Sequence, residues 1–218
     1  MHRRELMYYL AAGGAAALGN LVSRAFAKGD IPPGLNQLEG TASVNGRAAQ
    51  VGTPIQLGDR ISTGRASQAV IVVGKDAFLM RAQTTIEVKG SEGVLRDMLV
   101  STGRVLSVFS QKPVAIKAAN ASIGIRGTGA YIEVNPDSVY FCLCYGEALN
   151  EGPGMAGAKL VQTKHHEQPL LLRDEGGVMR VEPGPFQNHS DAELVLLESL
   201  CGREPPFMKG GMYPANRY

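Results

Sequence analysis

Residues 118–146 run AANASIGIRGTGAYIEVNPDSVYFCLCYG, and their reading decides the fold. Glycines at 124, 127 and 129 predict a turn, Gly124 to Gly129, because glycine enters positive-φ backbone without steric cost. Ala130 to Val134 then alternates. Ala130, Ile132 and Val134 share one face, and Tyr131 and Glu133 take the other. Asn135-Pro136-Asp137-Ser138 is turn chemistry, since Asn, Asp and Ser bond their own backbone and Pro pre-sets φ. The chain returns through Val139 to Tyr145. A side-chain period of two puts Val139, Phe141, Leu143 and Tyr145 on one face of this strand, with Tyr140, Cys142 and Cys144 opposite. The predicted hairpin therefore carries two of the three cysteines on one side.

The same grammar repeats outward from this stretch. Upstream, Asn45-Gly46 is the strongest short hairpin signal. Short β-rich runs follow at 55–63, 68–73, 77–81, 84–88, 94–100, 104–109 and 114–118, several of them bounded by turn residues such as Gly, Asp or Ser. Runs of about five residues with turns every eight to twelve predict a mainly β sandwich or roll. No period is regular enough to be a sequence repeat. Downstream, a Gly/Pro-rich loop (151–159) leads to short strands at 160–163, 170–173 and 178–181, the first two flanking Lys164-His165-His166-Glu167. Ser190-Asp191-Ala192-Glu193 is a capping box that opens a helix at about 191–200, with Gly202 placed to end it and Pro205-Pro206 beyond. Cys201 falls in line with Leu194, Leu197 and Leu200 and is expected in the core. The expected organisation is a signal segment at 1–27, a linker at 28–37, a β domain at 38–150, and a C-terminal extension at 151–218.

Composition narrows the function. The chain has 218 residues, a formal net charge of +2, 44% hydrophobic residues and no tryptophan. Without a basic cluster or an aromatic stacking platform, nucleic acid is not an expected partner. Arg3-Arg4 precede a weakly apolar run from Leu6 to Val22, and Ala25-Phe26-Ala27 supplies the small-x-small pattern of a signal-peptidase site. Paired arginines before a modest apolar core point to a twin-arginine export signal and a periplasmic address. Membrane contact is expected only through that segment, if it stays uncleaved.

Val44-Asn45-Gly46-Arg47, Leu57-Gly58-Asp59-Arg60-Ile61-Ser62-Thr63-Gly64 and the Ala69 to Val73 strand with its Lys75-Asp76 turn resemble the first half of a FecR domain. Gly103-Arg104-Val105, Ile123 to Gly129 and Tyr145-Gly146-Glu147-Ala148 resemble its second half, so the likeness spans roughly 38–150. The resemblance implies a FecR-like β fold outside the cytoplasm. FecR domains serve in iron-citrate signalling, relaying an outer-membrane signal to a cytoplasmic sigma factor. With two residues ahead of Arg3, a sigma-binding segment is not expected here, and only fold and address carry over. Arg126, in the Gly-x-Arg-Gly-Thr run, is expected to tie carbonyls or a carboxylate at a strand crossing.

Cys142, Cys144, His165, His166 and His189 are the candidate site residues. Two thiols on one face of a strand are poorly placed to bridge each other and well placed for a soft metal ion. His165 and His166 are adjacent, so on a strand they would point to opposite faces and only one would reach a given site. His189 precedes the capped helix, whose positive N-terminal end favours a neutral, ligating ring. Thiolates with imidazoles suit copper, zinc or iron. The expectation is a binding or sensing module rather than an enzyme. The alternatives are a β scaffold for an envelope protein or glycan, and a thiol-redox or Cys–His enzyme using Cys142 or Cys144 with His166 or His189. No Gly-x-Ser-x-Gly elbow or phosphate loop is present.

Overall fold

The computed structural model of the protein describes residues 31–208. The expected signal segment, the first residues of the linker and the tail beyond 208 lie outside the described residues. Among the described residues fourteen strands form one open sheet, followed by a single α-helix, as a mainly β reading predicts. Among the described residues no helix is long and apolar enough to cross a membrane.

The strands are β1 (Gly34–Glu39), β2 (Ala42–Val44), β3 (Arg47–Ala49), β4 (Arg60–Thr63), β5 (Gln68–Val73), β6 (Asp76–Met80) and β7 (Thr85–Ser91). They continue as β8 (Val94–Val108), β9 (Pro113–Ala118), β10 (Ala121–Asn135), β11 (Ser138–Glu151), β12 (Lys159–Thr163), β13 (Leu170–Glu175) and β14 (Val178–Pro183). Helix α1 (Asp191–Leu200) follows, and a short 3-10 turn (Pro206–Met208) closes the order. β1 opens inside the stretch expected to be a linker, where it pairs with β5. β12, β13 and β14 of the C-terminal extension join the same sheet through β11.

Three long strands organise the molecule because each meets different partners along its two halves. The C-terminal part of β8 pairs with β6 and β10, while its N-terminal part pairs with β7 and runs parallel to β9. β10 and β11 divide in the same way: one end of β10 lies against β9, and the two ends of β11 meet β13 and β12. The sheet thus has two wings, and residues of both enclose one apolar interior that includes Ile71, Phe78, Val105, Ile116, Ile123, Ile132 and Phe141.

Long strands correct two local expectations. Gly124 to Gly129 is not a turn, because β10 continues through it with neighbours on both sides. Its positive-φ residue, Gly127 at +62°, takes up a bulge where the β10–β11 register shifts between Arg126 and Gly129. Ser101 to Gly103 likewise bends β8 rather than ending it. Gly103 has φ +83°, and a Cβ there would lie 2.5 Å from the Thr84 Cα. Arg126 does tie a carbonyl, donating from Nε to the Gln111 oxygen at 3.1 Å. The Asn45-Gly46 hairpin forms as expected, with both residues at positive φ between β2 and β3.

Alternation gives the interior wing a second buried face. Ala69, Ile71, Phe78, Met80, Val105, Ile132 and Phe141 point into the interior, while Val70, Val72, Leu79, Leu106, Tyr131, Tyr140, Cys142 and Cys144 point outward. The outward face is covered by the last described segment: Leu194, Leu196, Leu197 and Leu200 of α1, with Phe186 and Phe207 beside them. Tyr145 belongs to this outer cluster rather than to the face of Phe141. A second shift in register pairs Gly129 with Tyr145 and Ala130 with Leu143, so one extra residue on β11 turns Tyr145 over.

Candidate metal centre

The outer face positions every element of the site. β11 supplies Cys142 and Cys144, which point the same way as the spacing requires and are free thiols with no exposed surface. Between β12 and β13 the chain makes a tight loop rather than a strand, which removes the strand-face restriction on His165 and His166. The Glu167 carboxylate accepts hydrogen bonds from the Lys164 and His165 amides at 2.7 and 2.9 Å. His166 adopts φ +57°, and its amide donates to the Cys144 carbonyl at 3.0 Å. A non-glycine residue in left-handed backbone is strained, and here the strain turns the imidazole inward.

His189 arrives from the opposite direction, on the segment before α1. The sheet fixes that segment through four side chains. The Tyr140 hydroxyl donates to the Pro185 carbonyl at 2.7 Å, and the Glu133 carboxylate accepts from the Asn188 amide at 2.6 Å and from the Tyr131 hydroxyl at 2.7 Å. Arg81 donates to the Asn188 carbonyl and pairs with Glu193 at 2.6 Å. The Tyr131 ring lies flat beneath His189, with centroids 4.5 Å apart and planes 19° from parallel. The capping box holds the entrance to α1, the Ser190 amide donating to Glu193 at 2.9 Å.

Four of the five predicted residues converge. One donor atom each from Cys142, Cys144, His166 and His189 lie within 4.8 Å of one another, and all four side chains are buried. His166 Nδ1 is 3.5 Å from the Cys142 sulfur and 3.2 Å from His189 Nε2. Bonds of about 2.0–2.3 Å set tetrahedral edges below about 4 Å, so the widest separations, up to 4.8 Å, would contract by about 1 Å or slightly more to close the site on an ion. His165 does not join this set. Its Nε2 instead meets both oxygens of Asp191 at 2.9 Å, and His166 Nε2 meets the same carboxylate at 3.0 Å.

The outer hydrogen bonds define what the inner atoms offer. A carbonyl only accepts, so the 2.7 Å contact between His189 Nδ1 and the Gln187 oxygen places the proton on Nδ1 and leaves the Nε2 lone pair facing the cluster. The Asp191 carboxylate does the same for His166 by accepting from Nε2. A ligating imidazole whose far N–H is held by a carbonyl or carboxylate is the usual arrangement around a metal.

Charge is distributed accordingly. The adjacent Cys144 thiol, against the cost of burial and aided by the two imidazoles, holds Cys142 down to about 4. Burial pushes Cys144 well above the ordinary thiol range. For His166, burial disfavours the cation, but the Asp191 carboxylate and the Cys142 sulfur outweigh it and bring the ring up to about 9. Without a metal, these shifts favour a thiolate at Cys142 beside a protonated His166.

Asp191 and Glu133 escaped the sequence reading. Asp191 was legible only as a first-turn acid, which the helix dipole already explains. Glu133 read as the polar side of a strand. Cys201, expected in the core, is half-buried just after α1, packed against the outer cluster and outside the four-donor set.

No protein-family model matches the chain, and no curated protein matches it. Among solved structures it is similar to two crystal structures of a "putative anti-sigma factor" from Parabacteroides distasonis ATCC 8503. The TM-scores are 0.48 and 0.47 at 8% and 11% identity, with 57% of this chain and 59% of the other covered in each case. The chain thus matches less than two thirds of the length of either structure.

Proposed function

We propose that this protein is a binding or sensing module built around a buried transition-metal site, with Cys142, Cys144, His166 and His189 as ligands. One observation carries the reading: two imidazoles, each with its far N–H engaged by Asp191 or Gln187, turn their other nitrogens toward each other and toward a thiolate. Such a set needs a positive charge at its centre. A proton on His166 supplies one in the metal-free protein, and a metal ion would supply it to all four donors at once. Two sulfurs and two nitrogens match zinc and copper by softness and geometry, with iron the further member of the class.

Burial separates this reading from an enzyme. The Cys142 sulfur shows the low pKa of a nucleophile, yet the residue has no exposed surface through which a substrate could reach it. The paired arginines and the Ala25-Phe26-Ala27 pattern support export, and the FecR-like motifs support an envelope role in signalling. In that role the metal, or its loss, would be the signal or the fastener of the surface that meets an envelope partner.

Elemental analysis of the exported protein, purified without a histidine tag, tests the site. The expected result is close to one copper, zinc or iron per chain, falling to background in a Cys142→Ser, Cys144→Ser double variant. Protein that stays metal-free after anaerobic reconstitution would end the reading.

A further inference from the structure

The buried site leaves a question of access, since no ligand of the inner set is in open contact with solvent. Cys142 and Cys144 are 0% exposed, His166 4% and His189 7%. One donor side chain bridges this gap. His165 sits beside the site with its side chain 19% exposed, and its Nε2 faces both oxygens of Asp191. Asp191 in turn faces His166 Nε2, the far nitrogen of the same ring whose Nδ1 enters the inner set. His165, His166 and Asp191 bring one donor atom each within 4.8 Å of one another, a second three-donor cluster that shares His166 with the first.

We propose that His165, Asp191 and the outer edge of His166 form a loading station, a transient metal site through which an ion passes between solvent and the inner four ligands. The proposal rests on the metal-site reading above. An ion in the station displaces to solvent the proton that His166 Nε2 otherwise shares with Asp191. A carboxylate and two imidazoles bind the same borderline divalent ions as the inner set, with fewer donors and no thiolate, so the station holds an ion more weakly than the interior does. Its composition gives a gradient inward. Rotation of the His166 ring, or release of its Nε2 from Asp191, would expose the next donor. The rings of Phe186 and Phe207, with centroids 4.6 Å from His166 and His165 respectively, restrict other approaches to the pair.

A station on the path differs from a ligand at the destination in its kinetics. Removing a transit site slows loading and release by the same factor and leaves the equilibrium affinity unchanged, whereas removing a ligand speeds release. The experiment uses the full chain and cobalt(II), whose thiolate absorption reports arrival at Cys142 and Cys144. Stopped-flow loading and release to excess chelator are measured for the wild type, His165→Ala and His165→Asp. The expected result for His165→Ala is loading and release both slowed by one common factor, with stoichiometry and affinity kept, whereas loss of a residue that only orients a ligand would weaken affinity about 10–100-fold. His165→Asp, which restores a donor without a thiolate, recovers the rates. Wild-type rates in His165→Ala, or release that is faster than wild type, would overturn the station while leaving the inner site standing. A wild type that develops no thiolate band would overturn the inner site and the station together.

Discussion

The two faces of strands β5, β6, β8, β10 and β11 are buried to the same degree and built from different materials. The inner face is aliphatic and phenylalanine-rich, with Ile71, Phe78, Val105, Ile132 and Phe141 in continuous contact. The outer face mixes Val70, Leu79 and Leu106 with three tyrosines, two thiols and the buried His166, His189 and Asp191. Apolar burial alone stabilises by roughly 25 cal/mol per Å², so the inner face needs nothing further to account for it. Each polar group on the outer face has to recover its desolvation cost through a partner. Residues that are costly to bury and still buried together are the better guide to function. Phe141 and Cys142, neighbours in one strand, make the comparison testable. Phe141→Ala is expected to cost about 3–5 kcal/mol in denaturant unfolding and leave metal stoichiometry intact in the folded fraction. Cys142→Ser should change metal-free stability far less and abolish metal binding. Equal loss of metal in the two variants would mean that the faces are not separable.

A second prediction concerns the outer face alone. Metal can bind only to deprotonated ligands, so the protons present at neutral pH set the pH dependence. Cys142, held near 4, is already a thiolate between pH 6 and 8 and releases nothing. Cys144, pushed up by burial, and His166, raised to about 9, each carry a proton that the ion must expel. Apparent affinity therefore rises with pH, by about tenfold per unit for each proton released, or up to roughly a hundredfold for two, and the slope falls toward a single proton as pH passes about 9, where His166 has lost its proton and Cys144 still carries one. Chelator competition at pH 6, 7 and 8 measures the slope. A flat profile would show that the centre is already fully deprotonated in the free protein.

The inner face was legible in the sequence because its signal is local: alternation along each strand places the side chains whatever the strands pair with. Gly124 to Gly129 was not, since positive φ at Gly127 serves a bulge as well as a turn, and only the non-local neighbours β9 and β11 decide between them. The same bulged pairing turned Tyr145 to the other face. The site was half legible. The Cys142/Cys144 side and the ligand types follow from spacing and chemistry. The choice of His166 over His165 depends on a left-handed backbone in a loop, which no periodicity announces. Asp191 and Glu133 were hidden by sufficient local explanations, a helix first turn and an exposed strand position. Their roles exist only because the C-terminal segment lies across β10 and β11.

Two arginines, each paired with a glutamate, give the smallest and most discriminating comparison. Arg60 pairs with Glu87 at 3.1 Å on β4 and β7, with 56% of its side chain exposed. Arg81 pairs with Glu193 at 2.6 Å, is 21% exposed, and also reaches Gln68 and the Asn188 carbonyl beside His189. Both are ion pairs across long stretches of chain, but only the second stitches the covering segment to the sheet. Arg60→Ala should cost less than about 1 kcal/mol and leave metal affinity unchanged, as an exposed pair does. Arg81→Ala frees the segment that aims His189, and should weaken metal binding about tenfold, in line with other residues that orient a ligand from behind. The Arg81 effect should also fade if His189 is first replaced by Ala, because there is then no ring left to aim. Were the two losses to add in full, Arg81 would be supporting the helix rather than the centre.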